Sequence, residues 1–295
     1  MTIAACHLSA EGVVLGADST ATMFVPGPVP APSIAPHQFD CAQKIFEIGQ
    51  QGTLGITMWG LGGLGAVSYR TLVAQFADSL SISPLSTMHE VADRWNQVFW
   101  SRYSAEFAPV LQRAQQLLGQ ATRTPDEDTE LQYYRQTFYV GFCIGGYLAH
   151  SRLPEAFELS YDPTLAAPGQ PGDLPLGTTK FWGCPGLLER LMFGIDLSLA
   201  QSIMQSGHWS GTTQDLLALV QPYQLIQPGA LPIREAIDLV HASIYTTIKA
   251  MKFSHLERAC GGPVEIAVIT TDRPFRWVRH KGLDAAISQG GLSDA

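Results

Sequence analysis

A chain of 295 residues, 46% of them hydrophobic, is long enough to bury a sizeable core. Only 15% of the residues are charged, a low figure that suits a surface partly covered by partner subunits. A formal charge of −8, with no Lys/Arg cluster to offset it, excludes a nucleic-acid footprint.

In chain order, the opening MTIAACHLSAEG lacks a basic segment and is no signal peptide. It reads as the start of a β-hairpin, with Thr2–Leu8 and Val13–Asp18 joined at Ser9–Gly12. Five prolines between Pro26 and Pro36 predict an extended loop. Lys44–Ile48 and Thr53–Met58 form a second hairpin turning at Gly49–Gly52. Apolar residues from Val67 to Leu80 fall at helical spacing, and a second helical stretch runs from about Ser86 to Leu118. A polar loop is predicted over Gly119–Glu130, then a buried strand over Thr137–Leu148. Pro163–Gly177 reads as loop, Lys180–Gly183 as a short strand, and Leu187 as the vicinity of another helix. Residues 207–230 mix Gly, Pro and Gln, with one apolar stretch at Leu216–Val220. Pro232 then starts a helix whose apolar residues recur from Ile233 to Met251, and strands at Val264–Thr270 and Phe275–His280 close the pattern. Strand runs alternating with helix pairs predict sheets covered by helices rather than βαβ repeats. One domain is expected over residues 1–283, with inserted loops near 23–43 and 207–231 and a loose tail over 284–295.

Five scattered cysteines without a C-x-x-C pair fit a reducing compartment better than a disulfide framework. The eight histidines include no pair at zinc-ligand spacing, so no metal is expected. The longest charge-free run, Ile48–Tyr69, holds seven glycines and makes no spanning helix. A soluble, cytoplasmic protein without membrane partners is therefore expected. Gly60-Leu61-Gly62-Gly63-Leu64-Gly65 satisfies the dinucleotide pattern G-x-G-x-x-G, but its strand is the second arm of a hairpin. The acidic residue due about twenty positions later is missing, since Asp78 comes too early and Glu90 too late. No cofactor is expected.

An N-terminal threonine carries its own base. Its α-amine titrates near ~8 and can take the hydroxyl proton, provided a cation, a carboxylate and an oxyanion donor stand nearby. Thr2 follows the initiator Met, Asp18 ends the paired strand, Lys44 opens the next strand, and Gly60 ends that hairpin. The stretch TIAACHLSAEGVVLGADSTAT resembles the N-terminus of proteasome β-subunits and the HslV peptidase, and KIFEI and TMWG continue the likeness. Near the C-terminus, ERACGGPVEIAVIT and FWGCPG resemble two further family segments.

The resemblance implies an α+β, four-layer αββα sandwich of the N-terminal nucleophile (Ntn) hydrolase type. It implies Thr2 as nucleophile once Met1 is removed, Lys44 and Asp18 as its charged supports, and Gly60 as oxyanion donor. Glu257 falls at the family's acidic position, and Cys260 and Cys184 stand where the family has serines. Met58 and Thr22 are implied in substrate binding. The activity implied is threonine-type cleavage of peptide bonds within a self-compartmentalising homo-oligomeric ring, with room for an ATP-driven unfoldase. The length suggests the bacterial proteasome homologues rather than compact HslV. Departures from the pattern are Thr20 in place of an arginine, the two thiols, and the proline-rich insertion. They keep two alternatives open: an Ntn amide hydrolase or acyl transferase acting on a small molecule, and a catalytically silent ring subunit.

Overall fold

The computed structural model describes residues 2–25, 35–226, 229, 231–255 and 259–282. The first hairpin forms as the sequence predicts, with β1 (Ile3–Ser9) and β2 (Gly12–Ala17) paired antiparallel from Ser9↔Gly12 to Ala4↔Ala17. β1 is flanked by β10 (Thr179–Gly183), and β2 by β11 (Glu265–Thr270) and then β12 (Arg273–Arg279). A second five-stranded antiparallel sheet runs in chain order through β5 (Ile45–Ile48), β6 (Leu54–Gly60), β7 (Val140–Gly146), β8 (Glu155–Tyr161) and β9 (Gly172–Asp173).

Alternation along each strand sorts the side chains into layers. Ala4, Cys6, Leu8, Val13 and Leu15 face the second sheet and pack with Ile45, Trp59, Cys143 and Ala156. Across this interface the rings of Trp59 and Trp182 stack 4.5 Å apart, 8° from parallel. Ile3, Ala5 and Val14 point the other way, onto Val240 and Ile244 of α8 (Ile233–Phe253) and Leu188 of α5 (Gly186–Phe193). On the far side α1 (Tyr69–Ile82) and α2 (Met88–Glu106) cover the second sheet, burying Phe76, Trp95 and Phe99 against Ile56, Phe142 and Ile144. The result is a four-layer αββα sandwich, in which strands buried on both faces need no polar alternation.

Local expectations change at several places, among them the stretch Pro163–Gly177, read as loop, where the short β9 pairs with β8. The proline-rich stretch is not loop throughout: β3 (Ala21–Val25) pairs with β4 (Ala35–Phe39) in a two-stranded ladder of its own. Among the described residues this sheet has these two strands only, and an edge strand is where a sheet tolerates proline; Pro26–Ile34 lie outside the described residues. The helix expected over Ser86–Leu118 breaks at Phe107, and α3 (Ala108–Leu118) restarts with Pro109 in its first turn, where a missing N–H costs nothing. Inside the expected polar loop lies α4 (Pro125–Thr137), begun by a reciprocal capping box between Thr124 and Glu127 with Asp126 and Asp128 in the first turn. α6 (Leu197–Gln205) and α7 (Thr213–Val220) also form, each capped by an oxygen, from Asp196 and Thr212. The tail 284–295 lies outside the described residues. Among the described residues, no helix is long and apolar enough to cross a membrane.

Candidate active site

The hairpin register that buries β1 also delivers its first residues to one end of the sandwich. Asp18 N–H donates to the Ile3 carbonyl at 3.1 Å, so the carboxylate sits beside the strand that Thr2 begins. Lys44 arrives from the second sheet, anchored by its carbonyl, which accepts from Met58 N–H at 3.0 Å. The three side chains meet: Lys44 Nζ lies 2.8 Å from Thr2 Oγ1 and 2.6 Å from Asp18 Oδ1.

Asp18 is fully buried, and burial of a charge is costly unless every lone pair finds a donor. Here Oδ1 takes Ile3 N–H at 3.1 Å besides the ammonium, while Oδ2 takes Thr20 N–H at 3.2 Å and Gly261 N–H at 2.9 Å. The carboxylate is thus held from three segments, and it in turn fixes where Lys44 points. Burial pushes the Lys44 pKa below the ordinary lysine value, and the charge and hydrogen bond of Asp18 pull against that shift. Thr2, at 2% exposure, presents its hydroxyl to this ammonium inside the protein rather than to bulk water.

Two glycines shape the walls. Gly60 closes β6 at φ +88°, where a Cβ would stand 2.3 Å from the Tyr139 carbonyl oxygen. Gly183, opposite Ile3 in the β1–β10 register, has φ +87°, and a Cβ there would stand 1.8 Å from the Thr2 carbonyl oxygen. Cys184 and Cys260 follow this turn and precede Gly261, respectively, and both feel the charges of Lys44 and Asp18. Hydrogen bonding between the two thiols lowers the Cys184 pKa and raises that of Cys260, which burial raises further.

A cavity of about 60 Å³ opens beside the threonine, lined by Thr2, Thr20, Thr22, Lys44, Met58 and Gly60 among others. Six of the sequence-predicted residues therefore share one site (Thr2, Asp18, Lys44, Gly60, Thr22 and Met58), with the two cysteines at its border. Glu257 lies outside the described residues. A larger hollow of about 320 Å³, between Phe193, Leu217 and Gln221, lies on the α5–α7 side and is lined by no titratable side chain. Among the described residues, no group of three or more His, Cys, Asp or Glu could hold a metal ion.

Sequence reasoning missed part of the support. Gly261 donates to Asp18, and the Thr20 hydroxyl donates to Asp40 Oδ1 at 2.8 Å. The glycine pair Gly261-Gly262 was visible in the sequence, but the donor is a backbone N–H, which residue type does not advertise. The Thr20–Asp40 contact spans the proline-rich insertion and leaves no periodic signal.

Two antiparallel sheets face to face between helix layers, with a threonine entering an inner strand, define the proteasome-like Ntn-hydrolase fold. No family model matches the sequence, and no curated protein matches it. Among solved structures the chain is similar to Anbu from Hyphomicrobium sp. strain MC1, solved as a Gly-1 mutant. The likeness covers 97% of this chain and 88% of that one, at a TM-score of 0.52 and 13% identity. At that identity the likeness is one of fold. It reaches the proteasome-like architecture at large and not the HslV type in particular.

Proposed function

We propose that this chain is an N-terminal threonine hydrolase that cleaves peptide bonds through an acyl-enzyme on Thr2 after removal of Met1. The observation that carries the reading is the placement of Lys44 Nζ, 2.8 Å from Thr2 Oγ1 and 2.6 Å from Asp18 Oδ1. Once Met1 is gone, the freed α-amine takes the Thr2 hydroxyl proton, directly or through a water, as Oγ1 attacks the substrate carbonyl. Lys44 stabilises the developing negative charge on Oγ1, and Asp18 keeps Lys44 in place. Gly60 N–H serves as donor to the oxyanion. The ammonium returns its proton to the leaving amine as the C–N bond breaks, and water then hydrolyses the ester to regenerate Thr2.

Cys184 and Cys260 stand where hydroxyls would hold the amine and its water, as weaker donors. The proposed setting is a cytoplasmic homo-oligomeric ring, which would keep the site from folded proteins and leave room for an ATP-driven unfoldase. A second reading, an amide hydrolase or acyl transferase for a small molecule, draws on the cavity of only about 60 Å³.

The test pairs an intact-mass measurement with turnover of an unstructured polypeptide. The expressed protein should lack Met1, and Thr2→Ala should lose turnover with its thermal transition unchanged. Full turnover in Thr2→Ala would sink the proposal. Retention of Met1 on an inactive chain would leave the silent-subunit reading.

A further inference from the structure

The end of the sheet that carries Asp18 holds a second buried carboxylate with cationic partners, which the proposed reaction does not use. Glu265 is fully buried on β11, opposite Ala17 of β2 and so one residue from Asp18. The β11–β12 register pairs Ile266 with Arg279, which brings His280 and Lys281 to the same end. Glu265 Oε1 faces His280 Nδ1 at 2.6 Å, and Oε2 faces Lys281 Nζ at 3.1 Å. Neither contact has hydrogen-bond geometry, so the carboxylate is matched here by charge alone, which a buried site makes costly to disrupt.

Lys281 spends its hydrogen bond elsewhere. Its ammonium donates to the Ala42 carbonyl at 3.0 Å, and Ala42 N–H donates to the Ser19 carbonyl at 2.8 Å. Ser19 is tied in turn to Gly261 and Pro263, at 3.0 Å and 2.8 Å. Ala42 lines the cavity beside Thr2 and lies two residues before Lys44. Ala42 and Gln43 belong to no strand, so the segment delivering Lys44 has no ladder of its own until β5 begins at Ile45. Its described backbone ties are these and the bond from Met58 N–H to the Lys44 carbonyl, so at Ala42 Lys281 supplies one of two, from a distant part of the chain.

We infer that Lys281, held in place by Glu265, is a positioning residue that fixes the Ala42–Lys44 wall and thereby the aim of Lys44 at Thr2. The consequence for turnover rests on the proposed function; the consequence for the wall does not. Loss of the tether lets Ala42 leave Ser19 more often and spreads Lys44 over positions farther from Thr2. The mean cationic field at the amine then falls, and the amine holds its proton to higher pH. The other titratable groups around Thr2 (Asp18, Cys184 and Cys260) keep their places.

Three variants of the full chain test this: Lys281→Ala, Lys281→Arg, and the double variant Lys281→Met/Glu265→Gln. The double variant removes both charges of the pair and keeps their bulk, so it addresses a single variant that fails to fold. Amide hydrogen exchange should quicken tenfold or more at Ala42 in Lys281→Ala and in the double variant. It should stay at the wild-type rate at Ile56 in β6, and Lys281→Arg should restore protection at Ala42. Turnover should fall about tenfold, with the alkaline rise of the rate profile displaced to higher pH, whereas simple loss of folded protein would lower the rate without moving that rise. Unchanged exchange at Ala42 in variants that remain folded overturns the inference whatever the activity. Faster exchange with an unmoved pH profile overturns the link to Lys44. If the wild type hydrolyses no peptide, the proposed function fails, while exchange at Ala42 still decides the tether.

Discussion

The two helix-covered faces of the sandwich are built from different materials. Between the second sheet and α1–α2 the core is aromatic: Phe99 stacks on Trp95, meets Phe142 edge-on and tilts against Tyr161, with ring centroids 4.5–5.9 Å apart. Between the first sheet and α8 the core is aliphatic and thin, and Gly16 lies so close to the helix that a Cβ would meet Val240 at 2.4 Å. Large rings bury the most area per residue and interlock. Small residues instead let a helix come down onto the strands. On the thin side β1 and β2 hold Thr2 and Asp18 by backbone register rather than by side-chain bulk, while Lys44, Met58 and Gly60 reach the candidate site from the second sheet. The threonine and the bulk of the aromatic rings thus lie in different layers, and each should be breakable without the other.

The largest expected effect is on stability, from Phe99→Ala. Phe99 is 1% exposed, and truncation of a buried phenylalanine costs about 3–5 kcal/mol through lost transfer and cavity terms. Denaturant melts should show that loss, while turnover per folded molecule stays near wild type; a site that failed in proportion would erase the division between layers.

Next comes Lys44→Ala, which should cut turnover about 10²–10³-fold, or ~2.7–4 kcal/mol in the transition state. Lys44 is the only lysine before Lys180, so no neighbour in that stretch replaces its charge. A positive charge opposes protonation of the nearby amine, so its removal raises that amine's pKa. Residual activity should therefore rise only at higher pH than in wild type. A near-normal rate with an unmoved profile would reduce Lys44 to a structural strand end.

The smallest effect is expected from Asp196→Ala, at the N-cap of α6. Burial pulls the Asp196 carboxyl upward, but hydrogen bonds from Ser198, Leu199 N–H and Arg190 win and hold it at about 2, against an ordinary 3.8. A folded pKa below the unfolded one stabilises above about 3.8, and that contribution drains away as pH falls towards 2. At neutral pH the variant should lose about 1 kcal/mol, the worth of a helix cap, and it should lack that acid-side decline. Superimposable stability–pH curves for the two proteins would show the cap to be idle.

The parts of this architecture that could be read from the sequence are those with a short period or a fixed spacing. The first hairpin was legible because its turn glycine and apolar runs are contiguous, and α8 because six apolar residues recur on one face. The meeting of Thr2, Asp18 and Lys44 could be anticipated because all three lie at strand ends set by two hairpins. α4 was hidden because it buries only Leu131 and so has no apolar stripe, although Thr124-Pro125-Asp126-Glu127 spells out its start. β8 escaped because Glu155 and Glu158 interrupt its apolar residues, and the Glu158 carboxylate is accounted for only in three dimensions, by Lys180 and by Trp182 Nε1–H. The Gly261 donor and the Lys281 bond to Ala42 have no local signature, since each joins segments distant in the chain.

Gly60 and Gly183 carry a consequence for ancestry. Each takes a backbone conformation that side chains rarely adopt, and a Cβ added at either would collide with a backbone carbonyl oxygen. These two positions cannot take another residue while the backbone keeps this path. In lineages that have diverged until composition and length no longer speak, the glycines should be among the last letters to change. Chains that descend from a common ancestor with this one should be aligned on them before they are aligned on anything reactive.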